Sequence, residues 1–216
     1  MNKNIKQVFG HYIDIDKIKS KFIIVDGGAC MGELNESLTP YLSGTDYRLY
    51  GFECCKSNFK FLEKNNNKII TYYENALVGE HEEEEIEFME VVSNNNKFKE
   101  WGNVKGLYEN YLMHDSEFIK TIKYKVKTLK INSLLNFLKI DSIDYLKLDT
   151  EGTEYDIVTD MNEETAKKIS QISMEIHFEK KEQDILLKKL YSLGFSFHKF
   201  KVEEQNVKSN ELYVSR

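Results

Sequence analysis

Eight consecutive residues, Val25-Asp26-Gly27-Gly28-Ala29-Cys30-Met31-Gly32, narrow the choice of fold more than any other stretch of the chain. They close a short apolar run, Phe22–Asp26, which reads as a buried parallel strand. They precede Glu33–Tyr41, which has helical character and ends near Pro40 and Gly44. Glycines between a strand and a helix let a ligand approach the backbone and meet the N–H groups of the helix start. The pattern then repeats: Tyr47–Glu53 is a second strand, Ser57–Asn65 a helix with Ser57 at its N-cap, and Lys68–Tyr73 a third strand. Strand, helix, strand, helix, strand predicts a parallel sheet with right-handed crossovers.

Downstream, Glu84–Val92 and Ile122–Leu129 read as strands. Between them lies a polar insertion, Asn94–Phe118, carrying Trp101, Tyr108 and Tyr111. Long insertions of this kind tend to be functional, and aromatics with polar tips suit sugar faces, so a lid is expected there. Asn132–Leu138 and Tyr155–Met161 are helical, while Ile143–Asp149 is a buried strand that ends in an acid. Ile172–His177 is a strand, Lys180–Leu193 a helix stopped by Gly194, and Phe195–Lys201 with Leu212–Ser215 an antiparallel pair. No repeat or linker divides the 216 residues, so residues 1–216 are expected to form one α/β domain.

Composition excludes several classes. Apolar residues make up 41% of the chain, which rules against global disorder. No apolar run reaches the roughly 18 residues of a membrane span. The polar Met1–Phe9 lacks the apolar stretch of a signal peptide, so the cytoplasm is the expected compartment. The net charge of −6 argues against a nucleic-acid partner, whose phosphates would call for a basic face. Cys30, Cys54 and Cys55 are an odd, partly vicinal set and no CxxC or HExxH occurs, so neither a disulfide framework nor a metal site is expected.

The chemistry lies at the strand ends. A dinucleotide loop wants GxGxxG, and from Gly27 the chain gives Gly27, Ala29 and Gly32, so the middle glycine is missing. Asp26 at the strand tip would also repel a pyrophosphate, at a cost of several kcal/mol for like charges about 4 Å apart. S-adenosyl-L-methionine carries an ammonium and a sulfonium instead, and suits an acid there. Glu53, ending the second strand, is placed to meet two ribose hydroxyls. Asp149 and Glu151 crowd the tip of a later strand, where doubly wound sheets bind their ligands. His177 follows Glu175 at the end of the next strand, and a histidine there is a candidate general base for a hydroxyl acceptor, with Asp149 as the competitor.

These segments resemble the FkbM family of methyltransferases. Ile24–Gly32, Phe52-Glu53, Asn75-Ala76-Leu77 and Thr128–Gly152 follow the family's motifs in order and spacing. Ile143–Glu154 is the most specific of them, and Ile172–His177 and Leu190–Phe195 continue the match. The resemblance implies a seven-stranded, doubly wound, mostly parallel class I methyltransferase fold with a final reversed hairpin. It implies O-methylation of a sugar, glycan or small metabolite. It assigns Asp26, Gly27, Gly28, Gly32 and Glu53 to the cofactor, with Asn75 and Ala76 near the adenine, and Asp149 and Glu151 to the reaction cleft. Two positions depart from the family: Cys30 stands where asparagine is usual, and Cys54 where proline is usual.

Other readings compete. A NAD-dependent or nucleotide-sugar oxidoreductase shares the broad fold, and Asp26 and Ala29 speak against it. Enzymes that methylate nucleic acids or protein amides resemble N/D-P-P-Y at a strand end, and the only proline here is Pro40. A non-catalytic binding module of the same fold is disfavoured by the intact Glu53 and Asp149.

Overall fold

The computed structural model describes residues 4–93, 101–103, 118–176, 180–202 and 210–216. The chain opens with a hairpin, β1 (Ile5–Val8) and β2 (His11–Asp14), which the sequence reading did not anticipate. Its turn is Phe9-Gly10, with φ of 45° and 84°. Two positive φ values in a two-residue loop match the twist of a hairpin, but the usual Asn-Gly signal is absent. The backbone N–H groups of Tyr12 and Asp14 donate to Ser173 Oγ at 3.0 Å and Gln171 Oε1 at 2.9 Å, which docks β2 on the main sheet.

The next elements are β3 (Lys21–Gly27), α1 (Glu33–Leu38), β4 (Asp46–Phe52), α2 (Lys56–Leu62) and β5 (Ile70–Tyr73). Then come β6 (Ala76–Val78), β7 (Glu85–Ser93), β8 (Trp101–Asn103) and β9 (Phe118–Lys130). The chain continues with α3 (Leu134–Leu138), β10 (Tyr145–Leu148), α4 (Glu154–Asp160), α5 (Glu163–Lys167) and β11 (Gln171–Ile176). It closes with α6 (Lys180–Ser192), β12 (Ser196–Val202) and β13 (Asn210–Ser215). No helix among the described residues is long and apolar enough to cross a membrane.

The main sheet is mixed, in the order β12-β13-β11-β10-β3-β4-β5. Strands β11, β10, β3, β4 and β5 run parallel, and β13 is antiparallel to both β11 and β12. The strands alternate faces, as a two-residue period demands. Phe22, Ile24 and Tyr145 pack with Leu34, Leu38 and Leu62 from α1 and α2. Val25, Leu146 and Leu148 pack on the other face with Leu134, Ile157 and Leu186 from α3, α4 and α6. Helices on both faces make the sheet doubly wound.

Not every strand joins it. A separate four-stranded sheet has the order β6-β9-β7-β8. It is tied to the start of α2 through Tyr124, whose hydroxyl donates to Glu90 at 2.5 Å and accepts from the Lys56 N–H at 2.8 Å. Ser57 corrects another expectation: Cys55 holds the N-cap of α2 with no side-chain cap, and the Ser57 hydroxyl donates to Glu90 instead. The expected lid, Asn94–Phe118, lies outside the described residues except for β8 and the first residue of β9.

Candidate active site at the carboxyl end of the parallel strands

The main sheet changes winding direction between β3 and β10, because the chain runs from β3 outward to β5 and returns to start β10 on the other side. Ligands of doubly wound sheets bind beyond the strand ends at such a switch point. A cleft opens there, with free space of about 700 Å³ including its mouth. Gly28, Cys30, Glu53, Asn75, Ala76, Leu77, Asp149, Thr150 and Glu151 line it, with Phe9 from the N-terminal turn and Phe88 from β7.

The glycine loop is fitted between two strand tips. Gly28 and Ala29 both donate to the Phe52 carbonyl, at 2.9 and 3.0 Å. A Cβ on Gly28 would lie 1.8 Å from the Asp149 carbonyl oxygen, and φ is +78°, so no other residue fits. Cys30 also has a positive φ, +49°, in a region that L-residues other than asparagine and aspartate rarely occupy. This gives a physical reason for the family's preference for asparagine there. Gly27 and Gly32 lie behind the cleft wall: a Cβ on Gly27 would meet the Lys147 carbonyl at 3.2 Å, and one on Gly32 would meet Tyr72 Oη at 2.9 Å.

Glu53 is 7% exposed, and its carboxylate is held from behind. Oε1 accepts from the Cys55 N–H and Oε2 from the Cys30 N–H, both at 2.7 Å. Each oxygen has two acceptor sites, so two backbone bonds leave capacity for two more. Burial pushes this carboxyl up to about 7, against the pull of the two amides. Burial also raises the Cys54 and Cys55 thiols well above their ordinary range, so both line the cleft as neutral groups.

Asp26 is buried on the face of β3 that carries Phe22 and Ile24. Its register partner is Lys147 of β10, with Nζ 3.2 Å from Asp26 Oδ1. The same ammonium donates to the Gly28 carbonyl at 2.5 Å and lies 3.6 Å from Asp149 Oδ2. Burial works against the Lys147 charge, but Asp26 and Asp149 outweigh it and its pKa lies above the ordinary lysine value. The acid expected to meet the cofactor directly is thus paired with a lysine beneath the loop. The repulsion argued against a pyrophosphate is correspondingly weaker.

The loop after β10 is clamped by Glu154, which is fully buried. Its two oxygens accept from Thr150 N at 2.6 Å and Gly152 N at 3.0 Å. Between them Glu151 takes a φ of +55°, and it lines the cleft. His177 lies outside the described residues; it follows Ile176, the last residue of β11, the parallel neighbour of β10.

One residue at this site was passed over in the sequence. His11 of β2 is 2% exposed, with Nε2 3.5 Å from Asp149 Oδ2 and Nδ1 3.4 Å from Glu211 Oε2 of β13. No local signal marks it, because its partners are distant in sequence. The structure therefore brings Gly28, Glu53, Asn75, Ala76, Asp149 and Glu151 to one cleft, with Asp26, Gly27, Gly32, Lys147 and His11 behind it.

Residues 26–197 match the model of the methyltransferase FkbM domain. The chain belongs to the FkbM methyltransferase family. Its structure resembles the FkbM methyltransferase of Methylobacillus flagellatus KT, with a TM-score of 0.56 at 14% identity over 90% of this chain. This chain spans 44% of the length of that protein. It also resembles the pre-rRNA processing protein fibrillarin of Methanococcus jannaschii, with a TM-score of 0.51 at 9% identity over 99% of this chain and 82% of that one. At such identities the likeness is one of fold, the class I methyltransferase fold. No curated protein sequence matches this chain.

Proposed function

We propose that this member of the FkbM family transfers the methyl group of S-adenosyl-L-methionine to a hydroxyl of a sugar, glycan or small metabolite. The observation that carries the reading is Glu53, a carboxylate fixed by two backbone amides at the wall of the switch-point cleft. Glu53 takes the two ribose hydroxyls of the donor. Gly28 lets the donor lie against the backbone, and Asn75, Ala76 and Leu77 wall the adenine. The donor, when bound, supplies an electrophilic methyl on a positively charged sulfur. The protein's part is placement: holding an acceptor oxygen in line with that methyl is worth several kcal/mol of barrier.

His177 takes the hydroxyl proton as the bond forms, because an imidazole is better matched to neutral pH than a lone carboxylate. Asp149 and Glu151 orient the acceptor beside the donor. The reading is tested with labelled donor against sugars, glycans, small alcohols and amines. Label on hydroxyl acceptors is expected; label confined to amines would sink the O-methylation assignment. With a hydroxyl acceptor in hand, His177→Ala should lower turnover by roughly two to four decades while donor affinity stays near wild type. Full turnover in that variant would move the base role to Asp149 or Glu151.

A further inference from the structure

We infer that His11 is a positioning residue for methyl transfer: braced by Glu211, it holds the Asp149 carboxylate toward the place of the transferred methyl group. The inference rests on S-adenosyl-L-methionine being the donor, and not on which acceptor takes the methyl. His11 is immobilised before it meets Asp149, since the backbone N–H groups of Tyr12 and Asp14 fix β2 on the side chains of β11. Its ring then lies between two carboxylates, 3.5 Å from Asp149 Oδ2 through Nε2 and 3.4 Å from Glu211 Oε2 through Nδ1. Each ring nitrogen thus faces one carboxylate. Glu211 also faces Glu175 across the β11–β13 ladder, a like-charge juxtaposition. Neither His11 nor Glu211 falls within residues 26–197, so the family match does not account for this arrangement.

The sheet order says where Asp149 faces. The tips of β5, β4, β3 and β10 stand in line, followed in the chain by Asn75, Glu53, Gly28 and Asp149. A donor with its base at Asn75 and its ribose at Glu53 lays its sulfur arm over Gly28 and reaches Asp149. Asp149 is a fifth exposed to the cleft, while His11 is buried behind it.

The test needs no acceptor. S-adenosylhomocysteine lacks the methyl and its charge; sinefungin places an ammonium where the methyl sulfonium would be. The ratio of their affinities, measured by calorimetry, reads a carboxylate at the methyl position. Sinefungin should bind the wild-type protein more tightly, and Asp149→Asn should lower the ratio by about tenfold or more. His11→Leu should lower it in the same direction, and add nothing further in the Asp149→Asn background. Surface His81, 91% exposed, is the control, and His81→Leu should leave the ratio unchanged. If His11→Leu does not fold, as judged by circular dichroism, two shorter steps decide. His11→Gln keeps a donor within reach of Asp149 and should hold most of the ratio, whereas His11→Asn should lose it. Equal weakening of both ligands in Asp149→Asn would place that acid at the α-ammonium and overturn the inference. So would additive effects of His11→Leu and Asp149→Asn, or equal ratios for His11→Gln and His11→Asn. Failure of the wild-type protein to bind S-adenosylhomocysteine would overturn the donor assignment and this inference with it, whereas an acceptor screen without a hit leaves the measurement intact.

Discussion

At Gly28, two constraints coincide. The positive φ alone would cost an L-residue roughly 1–2 kcal/mol, but the 1.8 Å approach of a Cβ to the Asp149 carbonyl cannot be relieved without parting β3 from β10. Gly28→Ala should therefore disturb both the fold and the cleft. A loss of about 3 kcal/mol or more in urea unfolding is expected, with donor binding reduced beyond detection in any folded fraction. A variant of wild-type stability would show that the loop moves away from Asp149. The glycine itself was legible in the sequence, and so was Glu53 as a strand-end acid. The reason for each was not. That Asp149 presses on Gly28, and that Cys30 and Cys55 hold Glu53, follows only from the assembled strand tips.

Among the elements, the ones read most closely from the sequence were those with strong apolar periodicity. The runs Phe22–Asp26, Ile143–Asp149 and Ile172–His177 correspond to β3, β10 and β11, within a few residues at each end. The hairpin β1–β2 was missed because its turn uses Phe9-Gly10 and its second strand buries His11 and Asp14, which read as polar surface. Of the four-stranded sheet, β7 and β9 were foreseen as strands, while β6, β8 and their separation from the main sheet were not, and one buried acid contributes to its attachment. Glu90 is 3% exposed and accepts from Tyr124 and Ser57. Tyr124→Phe removes one of those donors and leaves the carboxylate under-satisfied, at a cost of about 1–3 kcal/mol. The thermal midpoint should fall accordingly; an unchanged midpoint would mean that Glu90 finds another donor.

For the whole molecule, the raised Glu53 carboxyl links folding, pH and donor binding. Its folded value of about 7 exceeds its ordinary 4.5, so between these values the folded chain binds more protons than the unfolded one. Stability of the donor-free protein should thus decline as pH rises through that window, by up to about 3 kcal/mol from this group. Ribose hydroxyls bond best to the ionised form, so S-adenosylhomocysteine should raise the thermal midpoint more at pH 8 than at pH 5.5. Glu53→Ala should lose about 2–3 kcal/mol of donor affinity and flatten that dependence. Parallel pH profiles for wild type and variant would remove Glu53 from the linkage.

The sequence by itself determined the alternation of strands and helices, the glycine loop, and the acids at the ends of β3, β4 and β10. These are local properties, set by periodicity and by residues that act where they stand. Tertiary structure decided which polar groups meet: Asp26 with Lys147, and His11 with Asp149 and Glu211. His11 and Asp149 lie far apart in sequence, and only the order of strands in the sheet brings the N-terminal hairpin to the tip of β10. Electrostatic partnership depends on distance in space, and no window along the chain contains it.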